Sequence, residues 1–202
     1  MTGRLLSPIG TNSVERHPIA PRLDTLNGKR IGLLDNTKKN AGLLLKAAGE
    51  ILQRDHGVAE VRAYRKISSS PGAPAATLDA LAACDAVINA YGDCGSCTSW
   101  CIHDGVTLEK RGVPTTTINS DAFVVLGQQE AIALGLPGLP IVMVPHPMGD
   151  IAAEIVVERA HGMIEQVVRV LTGSAAQLES DYTDRYIGES NNFARSNMFC
   201  EI

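Results

Sequence analysis

Between Lys29 and Gly173 the chain alternates short apolar or β-branched runs with longer helical repeats, and this alternation restricts the fold more than any other feature of the sequence. Arg30–Asp35 reads as a first strand, and residues 40–53 follow with Leu43, Leu44, Ala47, Ala48, Ile51 and Leu52 at helical spacing. Residues 58–64 read as a second strand, 68–74 as a polar Pro/Gly loop and 77–83 as a short helix. A third strand over 85–91 runs through a cysteine-bearing turn into a helix that ends near Lys110. A strand over 113–118, a helix over 120–134 and a strand over 139–144 come next. The longest helix, 148–171, closes the series, with Asp150 as N-cap and Gly173 as stop.

Strand and helix in alternation predict an α/β fold, with a doubly wound, mostly parallel sheet of flavodoxin-like or Rossmann-like kind. At 202 residues the chain suits one domain. Residues 29–173 form its body, 1–28 an N-terminal arm wrapped on it or exchanged with a neighbour, and 174–202 a C-terminal arm. That second arm carries Phe193, Met198, Phe199 and Cys200 and packs on the domain or on a second subunit, so an oligomer of identical chains is expected. Aromatic residues make up only 4% against 45% hydrophobic, so the core is built from Ala, Val, Leu and Ile, as helices on a sheet require. A net charge of −4 with no basic cluster argues against nucleic acid as a partner. No run approaches the roughly 18 apolar residues of a membrane span, and Met1 to Pro8 lacks a signal-peptide core, so a cytoplasmic protein is expected.

The ends of the predicted strands carry the polar residues. Asp35, Asn36, Thr37 and Lys38 follow the first strand, Asp93, Cys94 and Cys97 the third, Asn119, Ser120 and Asp121 the fourth, and Pro145, His146, Pro147 and Met148 the fifth. In a parallel sheet these loops share one edge, where ligands bind beyond the carboxyl ends of the strands. Each residue alone has a plain reading, because Asp, Asn and Ser cap helices and a histidine between prolines is a turn residue. Their convergence around cysteines points to a site, with Asp35, Asn36, Lys38, Asn119 and Ser120 as candidates for binding a small-molecule substrate. Lys38, beside a helix N-terminus, suits an anionic group.

Three of the chain's five cysteines, Cys94, Cys97 and Cys101, fall within eight positions. Clustering of this kind is the reverse of a structural disulfide framework and indicates redox, nucleophilic or metal-binding thiols. Cys94-Gly95-Ser96-Cys97 opens a helix, so unpaired N–H groups and the helix dipole favour a thiolate, chiefly at Cys94. The two sulfurs can then exchange as a dithiol and a disulfide. A competing reading takes Cys94, Cys97 and Cys101 as ligands of zinc or an iron–sulfur cluster, with His103, His146 or Cys200 as fourth. His146 is the preferred general acid/base, since imidazole titrates near neutrality. Cys84, before the third strand, reads as a small buried hydrophobe. Neither a G-x-G-x-x-G fingerprint nor a Walker A sequence is present, so no cofactor is predicted from motifs.

Three blocks in order, residues 31–38 (IGLLDNTK) with Asn40, residues 92–98 (GDCGSCT) and residues 145–149 (PHPMG), resemble the UGSC family, named for a selenocysteine-Gly-Ser-Cys motif that some members carry as Cys-Gly-Ser-Cys. The resemblance runs from about His17 to Gly173, and the turn around Cys94 is more distantly similar to the selenocysteine subunit of glycine, sarcosine and betaine reductases. It implies that Cys94, standing at the selenocysteine position, is a low-pKa attacking group and Cys97 the resolving group. The implied activity is a thiol-dependent oxidoreductase restored by an external dithiol. A cysteine at position 94 also suits non-redox lyase, isomerase or racemase chemistry, and the metal-ligand reading would suit an accessory subunit.

Overall fold

A computed structural model describes residues 14–187. The strands are β1 (Arg30–Asp35), β2 (Glu60–Arg65), β3 (Ala86–Gly92), β4 (Thr115–Ser120) and β5 (Ile141–Val144). The helices are α1 (Ala41–His56), α2 (Ala75–Ala82), α3 (Gly95–Lys110), α4 (Val124–Ala133), α5 (Ala153–Thr172) and α6 (Ala175–Tyr182). All strand pairs are parallel, in the order β2-β1-β3-β4-β5. This is the flavodoxin-like order, in which the chain winds outward from β1 to β2 and then crosses back to β3, leaving the topological switch point between β1 and β3.

Alternation within the strands sends side chains to two helix layers. Ile31, Leu33, Ile88 and Ala90 join the larger core with Leu44, Ala48 and Leu52 of α1 and Val156, Ala160 and Val167 of α5. Leu34 and Val87 point the other way and meet Leu78, Leu81 and Leu108. Every residue of β3 and β4 is buried, as central strands covered on both faces must be. Gly32 lets α2 come close: a Cβ there would lie 2.7 Å from the Leu81 Cδ2.

Four boundaries differ from the sequence reading. β4 starts at Thr115 rather than 113 because Val113 belongs to the end of α3, its N–H reaching the Leu108 carbonyl past Gly112 at φ +81. The strand therefore runs through Asn119 and Ser120, which are not loop residues. α5 begins at Ala153, capped by Ala152, and Asp150 is not its N-cap but pairs with Lys39. Gly173 does end that helix, its N–H bonding the Arg169 carbonyl. Finally, α6 occupies part of what reads as a polar arm; Leu178 and Tyr182 turn inward, and the Gln128 side chain donates to the Tyr182 carbonyl. Phe193, Met198, Phe199 and Cys200 lie outside the described residues.

The N-terminal segment from Val14 packs on its own domain. Ile19, Ala20 and Leu26 are buried, and Arg22 forms a buried ion pair with Glu109, whose carboxylate also accepts the Ala20 and Thr115 N–H groups. No helix among the described residues is long and apolar enough to cross a membrane.

Candidate active site

The switch point places the first and third strand ends side by side, and the chemistry gathers there. β3 ends on Gly92, one residue before Asp93, and the extended Cys94 is the N-cap of α3. Gly95 and Ser96 leave the first turn exposed, and a Cβ on Gly95 would meet nothing within 4 Å. Cys94 is half-buried and Cys97, one turn on, fully buried. Their sulfurs are 2.8 Å apart, both as free thiols. A disulfide needs ~2.05 Å, so closure of this bond asks for less than an ångström of movement.

The two thiols differ sharply. Partial burial works against a Cys94 thiolate, but the Cys97 thiol, the Cys97 amide and the Lys38 ammonium together outweigh it and hold Cys94 below the ordinary cysteine range. Burial, with the neighbouring Cys94 sulfur, pushes the Cys97 thiol up to about 11. One proton is thus shared unequally, with Cys97 as its holder and hydrogen-bond donor when Cys94 is ionised. The Asp93 N–H donates to the Cys97 sulfur at 3.2 Å, which fixes that sulfur in place.

His146 arrives from the β5–α5 loop. Its Nδ1 lies 2.7 Å from the Asp93 Oδ1 and 3.3 Å from the Ser120 Oγ, while its backbone N–H donates to the Asp121 Oδ1. The other oxygen of Asp93 accepts the N–H groups of Met148 and Gly149. Asn40, whose side-chain amide donates to the Met148 and Ile151 carbonyls, and Tyr91, whose hydroxyl donates to the Lys39 carbonyl, tie the β1–α1 loop to the same edge. The Ala90–Tyr91 and His146–Pro147 peptide bonds are both cis.

The predicted site residues therefore separate into layers. Cys94, Cys97 and Lys38 form one group, His146 joins it through Asp93, and Ser120 meets the His146 ring. Asn36 lies beneath, fully buried, donating to the Tyr91 carbonyl and the Cys101 sulfur. Asn119 is also fully buried, and neither its amide nitrogen nor its oxygen has a partner among the described residues. Asp35 turns away: its carboxylate accepts the Thr37 N–H and faces Arg65 at 3.5 Å. It sits at one end of a groove of about 430 Å³ between α1 and the edge strand β2, floored by Leu33, Leu45, Val61 and Ala63. That groove contains none of the clustered cysteines. Asp93, Tyr91, Asn40 and Asp121 hold these loops together without standing among the predicted site residues; the adjacency of Asp93 to Cys94 was the available signal.

Cys101 stands apart from the Cys94–Cys97 pair. Cys101 is completely buried, its sulfur held by Asn36 and by the Asn89 Oδ1 at 3.5 Å, and burial drives its thiol strongly upward. Among the described residues no three His, Cys, Asp or Glu side chains gather as metal ligands. His103 lies against Trp100 with the rings tilted and their centres 5.0 Å apart. Cys84 is buried among Gly32 and α2, as a small hydrophobe should be.

The UGSC family model matches residues 4–173. The chain belongs to the UGSC family. The matched span takes in both strand ends of the switch point, the cysteine turn and the His146 loop. No curated protein matches. Two solved structures are similar in outline: the flavodoxin-like domain of a Synechococcus sp protein, at 12% identity and TM-score 0.37, covering 69% of this chain and 99% of that one; and the lactose-specific IIB component domain of the phosphoenolpyruvate:carbohydrate phosphotransferase system from Streptococcus pneumoniae, at 14% identity and TM-score 0.31, covering 71% and 97%. The fold assignment of this UGSC member rests on its own strand order.

Proposed function

We propose that this UGSC protein is a thiol-dependent oxidoreductase acting on a small molecule. The observation that carries the reading is the pair of free sulfurs 2.8 Å apart at the start of α3, one held toward the thiolate and the other toward the thiol. With a disulfide R–S–S–R′, Cys94 attacks one sulfur, forms Cys94–S–S–R and releases R′S⁻. Cys97, losing its proton, then attacks the Cys94 sulfur, expels RS⁻ and closes the Cys94–Cys97 disulfide. Two electrons pass from the thiols to the substrate, and an external dithiol restores the pair. An activated carbon substrate follows the same count: Cys94 displaces the leaving group, and attack by Cys97 releases the carbon fragment as a carbanion, which takes a proton. His146 is the group suited to supply it. Lys38, beside the Cys94 sulfur, favours substrates with a negative charge near the reacting atom.

A second reading keeps Cys94 as nucleophile or base in a non-redox lyase, isomerase or racemase, with His146 as partner acid. The burial of Cys97 and its high proton affinity favour it, since such a thiol resolves slowly. Turnover separates the two. Offered a small aromatic disulfide with no added reductant, the wild-type chain should release both aromatic thiols and close the Cys94–Cys97 disulfide, whereas Cys97→Ser should release one and keep the other as a mixed disulfide on Cys94. Conversion of a substrate through many turnovers with no reductant present would establish the second reading.

A further inference from the structure

Asp93 occupies a position that neither a capping nor a surface role explains. Its backbone N–H holds the Cys97 sulfur, one carboxylate oxygen meets the His146 Nδ1, and the other accepts two backbone N–H groups of the β5–α5 loop. A carboxylate in such a web offers only lone pairs, so the proton of the shared bond sits on the imidazole. The Ser120 Oγ, at 3.3 Å, lies beside the same nitrogen, and the Asp121 carboxylate fixes the His146 backbone. The remaining ring nitrogen, Nε2, has no partner among the described residues, and the His146 side chain keeps 40% of its surface exposed.

We propose that Asp93 is the positioning residue of the site: it holds neutral His146 as the Nδ1–H tautomer, so that Nε2 presents its lone pair and serves as the proton-transfer atom. The logic is that of any imidazole oriented by a carboxylate, where the bond on one nitrogen decides which proton the other can take or give. Asp93 touches neither the substrate nor the Cys94 sulfur in this scheme; it acts through His146. The same residue then governs both partners of the chemistry, since its main chain anchors the resolving sulfur and its side chain orients the imidazole. The consequence for turnover rests on the oxidoreductase reading, whereas the tautomer does not.

Nitrogen-15 NMR of the labelled full chain, with His146 assigned by a His146→Gln variant, reads the tautomer directly at a pH where the ring is neutral. The wild type should show a protonated Nδ1 and a bare Nε2. Asp93→Asn can turn its amide N–H toward Nδ1 and should shift the population to Nε2–H, while Ser120→Ala should leave it unchanged. If Asp93→Asn does not fold, the wild-type spectrum still decides, because an Nε2–H tautomer there overturns the proposal. An unchanged tautomer in folded Asp93→Asn overturns it equally. Dithiol-dependent turnover should fall about 10²-fold or more in Asp93→Asn, the usual span for loss of acid/base assistance, with Asp93→Glu recovering part of it. Absence of any such turnover alongside the expected tautomer would refute the oxidoreductase reading and leave the role of Asp93 standing.

Discussion

At the scale of single residues, the surroundings of Cys94 and Cys97 favour opposite forms of the two thiols. Iodoacetamide should alkylate Cys94 first, with a rate that rises with pH and levels off below the ordinary cysteine value, because its thiolate is favoured by Cys97 and Lys38 over the cost of burial. Cys97 should stay unmodified until pH approaches about 11 or the turn opens. Lys38→Met removes a cation and should move the Cys94 profile to higher pH; an unmoved profile would show that Lys38 points elsewhere. Cys94→Ser creates no core cavity and should change stability by no more than about 1 kcal/mol in a denaturant titration. The C-x-x-C spacing of Cys94 and Cys97 after an apolar run was legible in the sequence, and the fold brings the two sulfurs within 2.8 Å. Asp35 misled, since an acidic residue at a strand end looks the same whether it faces the site or, as here, forms its own turn and meets Arg65.

At the scale of elements, α3 is tied to the segment that follows β2 by a buried ion pair. Lys66, just after β2, and Asp104 on α3 are 2.7 Å apart with side chains 1% and 3% exposed, and Asp104 also accepts the Ala73 N–H. Removing either partner strands a buried charge, so Lys66→Ala should cost about 3–5 kcal/mol in chemical denaturation, whereas Lys66→Met with Asp104→Leu should recover most of it. Equal losses in the single and double variants would mean that packing, not charge, sets the cost. Nothing in the sequence showed this pair, because Lys66 and Asp104 are 38 residues apart and each reads as a surface charge. β4 was legible as a strand from its threonines, yet its start was hidden in the closing turn of α3. That two-residue displacement moved Asn119 and Ser120 from a loop into the sheet, and so buried Asn119.

At the scale of the whole molecule, the strand–helix alternation determined the topology well, since parallel strands joined by right-handed crossovers leave few arrangements and put every strand's carboxyl end on one edge. How far each side chain reaches from that edge is a matter of tertiary packing, which periodicity does not record; Asp93 and His146 are 53 residues apart and meet only in the folded chain. The N-terminal segment is part of the same unit. Arg22→Ala leaves Glu109 buried without its cation and should lower global stability by about 3–5 kcal/mol in a single cooperative transition. A separate early transition would show instead that the segment unfolds on its own. The central claim, that Cys94 and Cys97 work as a redox pair, is tested most directly by intact-mass and peptide-mapping measurements on the full chain after equilibration with graded ratios of oxidised and reduced dithiol. The account predicts a reversible loss of two hydrogens located to a Cys94–Cys97 cross-link, with Cys84 and Cys101 still reduced. A chain that forms no such cross-link at any ratio, or that carries the small thiol only as a stable adduct on Cys94, would contradict it.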